Sequence, residues 1–271
     1  MKAVVLYEQG GVEKLVYTDY PDPEITVSEV SVQVEACALN RLDLKARQDR
    51  PEVAPFPHIL GSDIAGIVVE VGTKVKQISV GDRVVLSPNI SCGQCSDCVN
   101  GYENLCDSQK LIGFQTNGGY AEYVAVPSVN AVPIADDLDF SAAAAIPIAY
   151  LTAWHMLVTR AKIQPGEDVL ILSIGSGVGS AGLQIAKLSG CRVFATASSE
   201  KKLQAARQMG ADFTVNYTQT DFSQFVLDLT NGRGVDVVLE HVGQATWEQS
   251  LASLAKNGRL VTCGVTTGNQ G

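Results

Sequence analysis

The run Val169-Leu170-Ile171-Leu172-Ser173 passes directly into Ile174-Gly175-Ser176-Gly177-Val178-Gly179-Ser180-Ala181-Gly182 and then into the helical pattern Leu183 to Ser189. An apolar strand that turns this tightly into a helix reads as the opening of a strand–helix–strand crossover on a buried parallel sheet. The surrounding chain agrees. After Asp139 come a long Ala-rich helical stretch, the turn Gln164-Pro165-Gly166-Glu167, and strand candidates at Val169 to Ser173, Arg192 to Ala197, Phe213 to Asn216, Val235 to Glu240 and Arg259 to Cys263. Helical patterns such as Ala181 to Ser189 and Lys201 to Gln208 separate them, so the second part is predicted to be α/β with a doubly wound parallel sheet.

The first part has a different texture. Short β-branched runs, Val30 to Val34, Ile64 to Val71, Arg83 to Leu86 and Tyr120 to Val126, are broken by Gly, Pro, Asp and Asn, which predicts a β-rich unit with non-local pairing. Met1 to Glu8 reads as a first strand and holds too few apolar residues for a secretory segment. With 271 residues the chain can bury two cores, and the boundary is expected between 1–149 and 150–271.

Charge narrows the partners. Twenty Lys and Arg against 29 Asp and Glu give a net charge of −9, which repels nucleic-acid phosphates and acidic membrane surfaces; small diffusible substrates are expected instead. The apolar stretch Ala142 to Val158 carries Pro147, Thr152 and His155, falls short of the roughly 20 clean residues of a membrane span, and reads as one buried helix. Seven cysteines without a secretory segment argue for metal or free thiols in a reducing compartment, hence a cytoplasmic location.

Four of those cysteines are grouped: Cys92-Gly93-Gln94-Cys95-Ser96-Asp97-Cys98, then Cys106, with spacings of two, two and seven residues in a lobe near 88–110 rich in turn residues. Four thiolates close a tetrahedron about Zn²⁺ and leave no position open for water or substrate, so the expected metal is structural. An iron–sulfur cluster also accepts four cysteines, and free surface thiols are the bland alternative.

The glycines carry the second chemistry. In the register Gly177, Gly179 and Gly182 they match the G-x-G-x-x-G pattern, placed between strand and helix where a backbone must approach a pyrophosphate at the positive end of a helix. Gly175, Ser176, Gly177, Val178 and Gly179 are therefore candidate cofactor contacts, against the alternative of a ligand-free packing turn. The end of the second strand bears on which dinucleotide. A carboxylate there would accept the ribose 2′-hydroxyl of NADH; this chain has Ala197-Ser198-Ser199-Glu200-Lys201-Lys202. Ser198, Ser199 and Lys202, with Tyr217 after the third strand, suit the 2′-phosphate of NADPH, while Glu200 is the contrary feature that keeps NADH in view.

Together these residues resemble the medium-chain dehydrogenase/reductase superfamily, over essentially the whole chain. Gly61, Gly66, Gly72 and Val75 match its glycine signature, Gly81-Asp82-Arg83-Val84 its following turn, and Cys92, Cys95, Cys98 and Cys106 its structural zinc lobe. The resemblance implies a GroES-like domain joined to a Rossmann domain. It further implies that the chain stops just after the fifth parallel strand, before a sixth, exposing a sheet edge and weakening cofactor binding; the full-length family form is expected to be a homodimer or tetramer.

The same comparison tests the catalytic metal. In zinc alcohol dehydrogenases a Cys, a His and a second Cys or acid hold it, and this chain has Asn40, Ser62 and Ile148 at those positions and Leu42 at that of the proton-relaying hydroxyl. Cys37, Asp43, His58 and Asp63 would have to form a rearranged site. The pattern looks like the zinc-free quinone oxidoreductase branch with an added zinc lobe. That implies NADPH-dependent hydride transfer to quinones or α,β-unsaturated carbonyls, with Asn40, helped by Tyr150 or Thr152, as donor to the substrate oxygen. Val242, Gly243, Gly264 and Val265, after the fourth and fifth strands, are expected to border the nicotinamide ribose and ring. The rivals are a zinc-dependent alcohol dehydrogenase and a non-catalytic NADPH-binding protein.

Overall fold

The computed structural model describes residues 1–48 and 55–268; Asn269, Gln270 and Gly271, the end of the segment after the fifth strand, lie outside the described residues. The chain divides into two compact units, Met1–Ile148 and Ala149–Gly271.

The first unit is built on antiparallel strands. β1 (Lys2–Leu6) lies between β2 (Leu15–Asp19) and β4 (His58–Ile59). A five-stranded sheet runs β10-β6-β5-β3-β9, from β3 (Glu29–Ala38), β5 (Asp63–Val71), β6 (Arg83–Leu86), β9 (Tyr123–Pro127) and β10 (Ala131–Pro133). β7 (Asn89–Ile90) and β8 (Lys110–Leu111) pair across the cysteine lobe, which holds the short helix α2 (Ser96–Val99). Alternating residues of the large sheet, Val30 and Val32, Ile64 and Val68, Val84 and Leu86, Val124 and Val126, fill one core, as the two-residue period of a half-buried strand requires. β3 shifts register against β5 twice, the second time between Val34 and Ala36, so its last residues pair Ala38 with Asp63. The helix α1 (Arg41–Gln48) begins after two intervening residues, which delivers Asn40 beside Asp63.

The second unit is a parallel sheet in the order β13-β12-β11-β14-β15, comprising β11 (Asp168–Ile171), β12 (Arg192–Ala197), β13 (Phe213–Asn216), β14 (Val235–Glu240) and β15 (Leu254–Thr262). Because both faces are covered, successive residues of β11 serve two cores. Val169 and Ile171 join Val193, Ala195, Val237 and Leu239 on one side; Leu170 and Leu172 join Phe194, Val238, Phe222 and Val226 on the other. Strand order reverses between β11 and β14, and such a switch point is where an open parallel sheet leaves a crevice at its carboxyl edge.

Two expectations need correction. The stretch Ala142 to Val158 is not one buried helix. It forms α3 (Phe140–Ala144), a break, α4 (Pro147–Trp154) and a π-helical turn over His155–Arg160, with Leu151 47% and Trp154 55% exposed. Pro147 has no N–H to give to a continuing helix and disfavours helical geometry in the residue before it, so it ends one helix and opens the next. The helix after the glycines, α5 (Gly177–Leu188), starts four residues before Ala181, because Ser176 caps it: its Oγ accepts the Gly179 N–H at 2.9 Å. Among the described residues no helix is long and apolar enough to cross a membrane.

Candidate functional site

At the carboxyl edge of the second unit, Ser173 takes a left-handed φ of +50°, an unfavourable conformation for a side chain, and turns the chain out of β11. Gly177, Val178 and Gly179 then form the first turn of α5. Ser176 takes up the Gly179 N–H, leaving those of Gly177 and Val178 without an intrahelical acceptor and pointing out of the helix end. Gly182 serves packing: a methyl there would come within 2.8 Å of Leu239 Cδ1. A side chain at Gly175 would strike the Lys202 stem, with Cδ at 2.7 Å, so Lys202, from α6 (Glu200–Gln208), lies over the glycine turn.

The other predicted dinucleotide contacts lie at the same edge. Ser198 and Ser199 join β12 to α6, and the Tyr217 N–H donates to the Ala197 carbonyl at 3.2 Å, bringing Tyr217 alongside the end of β12. Glu200 is engaged elsewhere, taking a hydrogen bond from Arg207 at 2.6 Å. Beyond β14 and β15, Thr267 N–H donates to the Val242 carbonyl at 2.8 Å, and Gly243, at φ +92°, lies so close to Val265 that a methyl would come within 2.9 Å of its Cα. Glu240 holds this loop from below; it is fully buried and accepts from Val242 N, Gly243 N, Thr246 Oγ1 and Ser250 Oγ at 2.5 to 3.0 Å. Gly264 follows β15 by two residues, and Tyr150 and Thr152 lie on α4, Tyr150 packed against the core of the second unit. The donor set and glycine cradle fit a dinucleotide.

In the first unit, the half-buried Asn40 is the hub of a polar network around two buried carboxylates. Its side-chain Nδ2 donates to Asp63 Oδ2 at 2.8 Å, and its backbone N–H donates to Asp43 Oδ2 at 2.7 Å, with Asp43 in the first turn of α1. The Ile148 N–H donates to Asp63 Oδ1 at 2.8 Å, and Tyr120 OH donates to Asp43 Oδ2 at 2.9 Å. Asp43 and Asp63 are 7% and 2% exposed, and burial raises the pKa of each above the ordinary carboxylate value. Burial, reinforced by Asp43, also pushes up the Tyr120 phenol and the Cys37 thiol. Among the described residues neither carboxylate has a Lys, Arg or His ion-pair partner; neutral donors alone hold both.

This network decides how well a catalytic metal fits. Ser62 turns its hydroxyl into the fold, donating to the Ile112 carbonyl at 2.6 Å, and Ile148 offers only its backbone N–H, a donor. Among the described residues Cys37, Asp43, His58 and Asp63 form no group of three converging ligand atoms, and His58 is buried in the fold with its pKa lowered by burial. The residues at these positions do not fit a zinc ion.

The cysteine lobe does fit one. The four Sγ atoms of Cys92, Cys95, Cys98 and Cys106 lie within 4.8 Å of one another, with Cys92–Cys98 at 3.9 Å and Cys95–Cys98 at 3.4 Å. Sulfurs at the corners of a tetrahedron about 2.3 Å from zinc would stand about 3.8 Å apart. Backbone N–H groups of Gln94 and Cys95 turned on Cys92 bring its pKa down to about 6. Cys95, although the Cys98 N–H favours its thiolate, is pushed up to about 11 by the Cys98 thiol and burial. A dication removes that competition by taking all four as thiolates.

Not legible along the chain is the joint role of Asp63, which ties together Asn40 and Ile148, two of the three positions that the resemblance aligns with zinc ligands; its local signal is an acid directly after Gly61-Ser62. Nor does the sequence pair His241, directly after β14, with the glycine turn, yet its Nε2 lies 2.9 Å from Ser176 Oγ.

The comparisons with known proteins agree with this anatomy. The alcohol dehydrogenase GroES-like domain matches residues 26–136, and the zinc-binding dehydrogenase domain matches residues 177–271. An alcohol dehydrogenase of Geobacillus stearothermophilus is 38% identical over 90% of this chain and 72% of its own length. A quinone oxidoreductase of Pseudomonas aeruginosa is 32% identical over 98% of this chain and 74% of its own. A crystal structure of an NAD-dependent alcohol dehydrogenase superposes with a TM-score of 0.97 at 45% identity, covering 100% of this chain and 79% of that one. With a GroES-like unit, a parallel dinucleotide-type sheet and relatives of both names, the chain belongs to the zinc-binding dehydrogenases of the medium-chain dehydrogenase/reductase superfamily and is an oxidoreductase.

Proposed function

We propose that this protein is an NADPH-dependent, quinone oxidoreductase-like reductase of quinones and α,β-unsaturated carbonyls that works without a catalytic zinc and carries a structural zinc in the cysteine lobe. The observation that supports it most directly is the Asn40–Asp63 bond: a ligand position of the alcohol dehydrogenases is occupied by an amide whose orientation a buried carboxylate holds. Bound nicotinamide in its reduced form supplies the hydride. One Asn40 N–H is spent on Asp63; the second is free to donate to the oxygen of a conjugated carbonyl, onto which conjugation spreads the negative charge arriving at carbon. By the resemblance, Tyr150 or Thr152 is the further donor, and the proton comes from the Tyr150 phenol or from water, which Tyr150→Phe distinguishes.

Preference for NADPH rests on Lys202 over the glycine turn and on Glu200 being drawn to Arg207. Gly175, Ser176, Gly177, Val178 and Gly179 receive the diphosphate; Ser198, Ser199, Lys202 and Tyr217 receive the 2′-phosphate. Val242, Gly243, Gly264 and Val265 border the nicotinamide end. Metal analysis together with turnover tests the reading. One zinc per chain and consumption of NADPH with quinones or enones support it. Two zincs per chain with oxidation of simple alcohols would make the protein an alcohol dehydrogenase, and tight NADPH binding without turnover across the panel would make it a binding protein.

A further inference from the structure

We infer that His241 is a dinucleotide-contacting residue: its Nε2 fixes the Ser176 cap while its Nδ1 donates a hydrogen bond to an oxygen of the diphosphate–ribose segment of the cofactor. The inference rests on the dinucleotide reading of this edge and adds a ligand to it.

Three observations carry it. His241 follows the last residue of β14, and Ser176 follows β11; these two strands are adjacent and flank the switch point of the sheet. The His241 Nε2 atom lies 2.9 Å from Ser176 Oγ, which also accepts the Gly179 N–H at 2.9 Å. Among the described residues His241 Nδ1 is enclosed and has no hydrogen-bond partner.

The bonds of Ser176 indicate the tautomer. With Gly179 N–H already donating to Oγ, the hydroxyl hydrogen goes to His241 Nε2, which satisfies the serine as donor and acceptor. The imidazole hydrogen then sits on Nδ1, a buried donor without an acceptor, and such a group carries a desolvation penalty unless something meets it. Burial also lowers the pKa of the ring and favours this neutral form. The neighbouring backbone is held rigidly: Thr266 Oγ1 donates to the His241 carbonyl at 3.1 Å, and Glu240 pins Val242 and Gly243. An N–H donor fixed at the carboxyl edge on the β14 side of the switch point matches the oxygen-rich middle of a dinucleotide and not its adenine end.

Substitutions separate the two nitrogens, because asparagine keeps an N–H near the Nδ1 position and glutamine keeps a polar group near Nε2. Binding is measured by calorimetry for NADPH, 2′-phospho-ADP-ribose and adenosine 2′-monophosphate, with NADH, ADP-ribose and adenosine in parallel, so that the adenosine ligands lack the diphosphate altogether. His241→Ala and His241→Gln are expected to weaken the full cofactor and the ADP-ribose ligand by about tenfold. His241→Asn should recover most of that loss, and the adenosine ligand should bind all variants like the wild type. Equal weakening of the adenosine ligand, or rescue by glutamine and not asparagine, would overturn the inference and leave His241 a support for Ser176 alone. Tighter wild-type binding in the NADH series would defeat the NADPH reading without touching His241.

Discussion

The side-chain amide of Asn40 donates to the carboxylate of Asp63 at 2.8 Å, across 23 positions of sequence, and the other oxygen of that carboxylate holds the Ile148 backbone. In this way residues at two positions that the resemblance aligns with zinc ligands are joined by a hydrogen-bonded acid. Asn40→Ala is expected to lower kcat for quinones or enones by about a hundredfold, the cost of losing one donor to a developing oxyanion. Asp63→Asn puts an amide N–H against one of its two donors and costs about 1–3 kcal/mol, read as a fall of about 2–10 °C in Tm. An unchanged kcat in Asn40→Ala would remove the amide from the chemistry.

In the proposed reading Lys202 is the residue that favours NADPH over NADH. Replacing it with alanine removes the cation lying over the glycine turn, and the expected outcome is a rise of about tenfold in the Kd for NADPH with that for NADH unchanged, measured by fluorescence titration. Arg207→Ala frees Glu200 from its 2.6 Å bond and should shift preference in the same direction by a smaller factor.

Removal of the lobe metal should act on stability and not on the chemistry. Cys98→Ser takes away a buried member of the four-sulfur cluster, so zinc content should fall to near zero and Tm should drop by several degrees, since metal binding contributes directly to folding. Folded variant below its melting temperature is expected to retain quinone reduction; parallel loss of activity at every temperature would place that metal in the reaction.

The buried acids predict an unusual pH dependence. The folded-state pKa values of Asp43 and Asp63 lie above their ordinary value, so between the two values the folded chain binds more protons than the unfolded one. Their contribution is fully present below the ordinary carboxylate range and is lost as pH rises through the raised values. Glu167, held low by Arg259, works in the opposite sense, so the observable is a difference between proteins. Urea midpoints of wild type and Asp43→Asn should converge at the acid end of this window and diverge in favour of the variant as pH rises, once the constant loss of the Tyr120 and Asn40 contacts is subtracted.

Much of this architecture was legible along the chain because it rests on spacing. Four cysteines within 15 positions, a strand running into Gly177-x-Gly179-x-x-Gly182, and two-residue alternation in Val30 to Val34 are local patterns, and local geometry suffices to satisfy them. Even the strand ends of Arg83–Leu86, Arg192–Ala197 and Val235–Glu240 coincide with their apolar runs, since burial and hydrogen bonding there follow the same period.

What only the tertiary structure decided is which polar groups meet. Asn40 reaches Asp63 because β3 slips register between Val34 and Ala36; Ser176 reaches His241, 65 positions on, because β11 and β14 lie side by side. The break at Pro147 turns one expected helix into two for the same reason that composition concealed it: hydrophobicity reports burial, whereas a missing N–H acts through backbone bonding. Sequence by itself determined the two folds, the cysteine lobe and the glycine turn, all of which need only neighbours in the chain. The partners of buried amides, acids and imidazoles were decided in three dimensions, because a polar group removed from water must be satisfied by whatever the packing brings within about 3 Å.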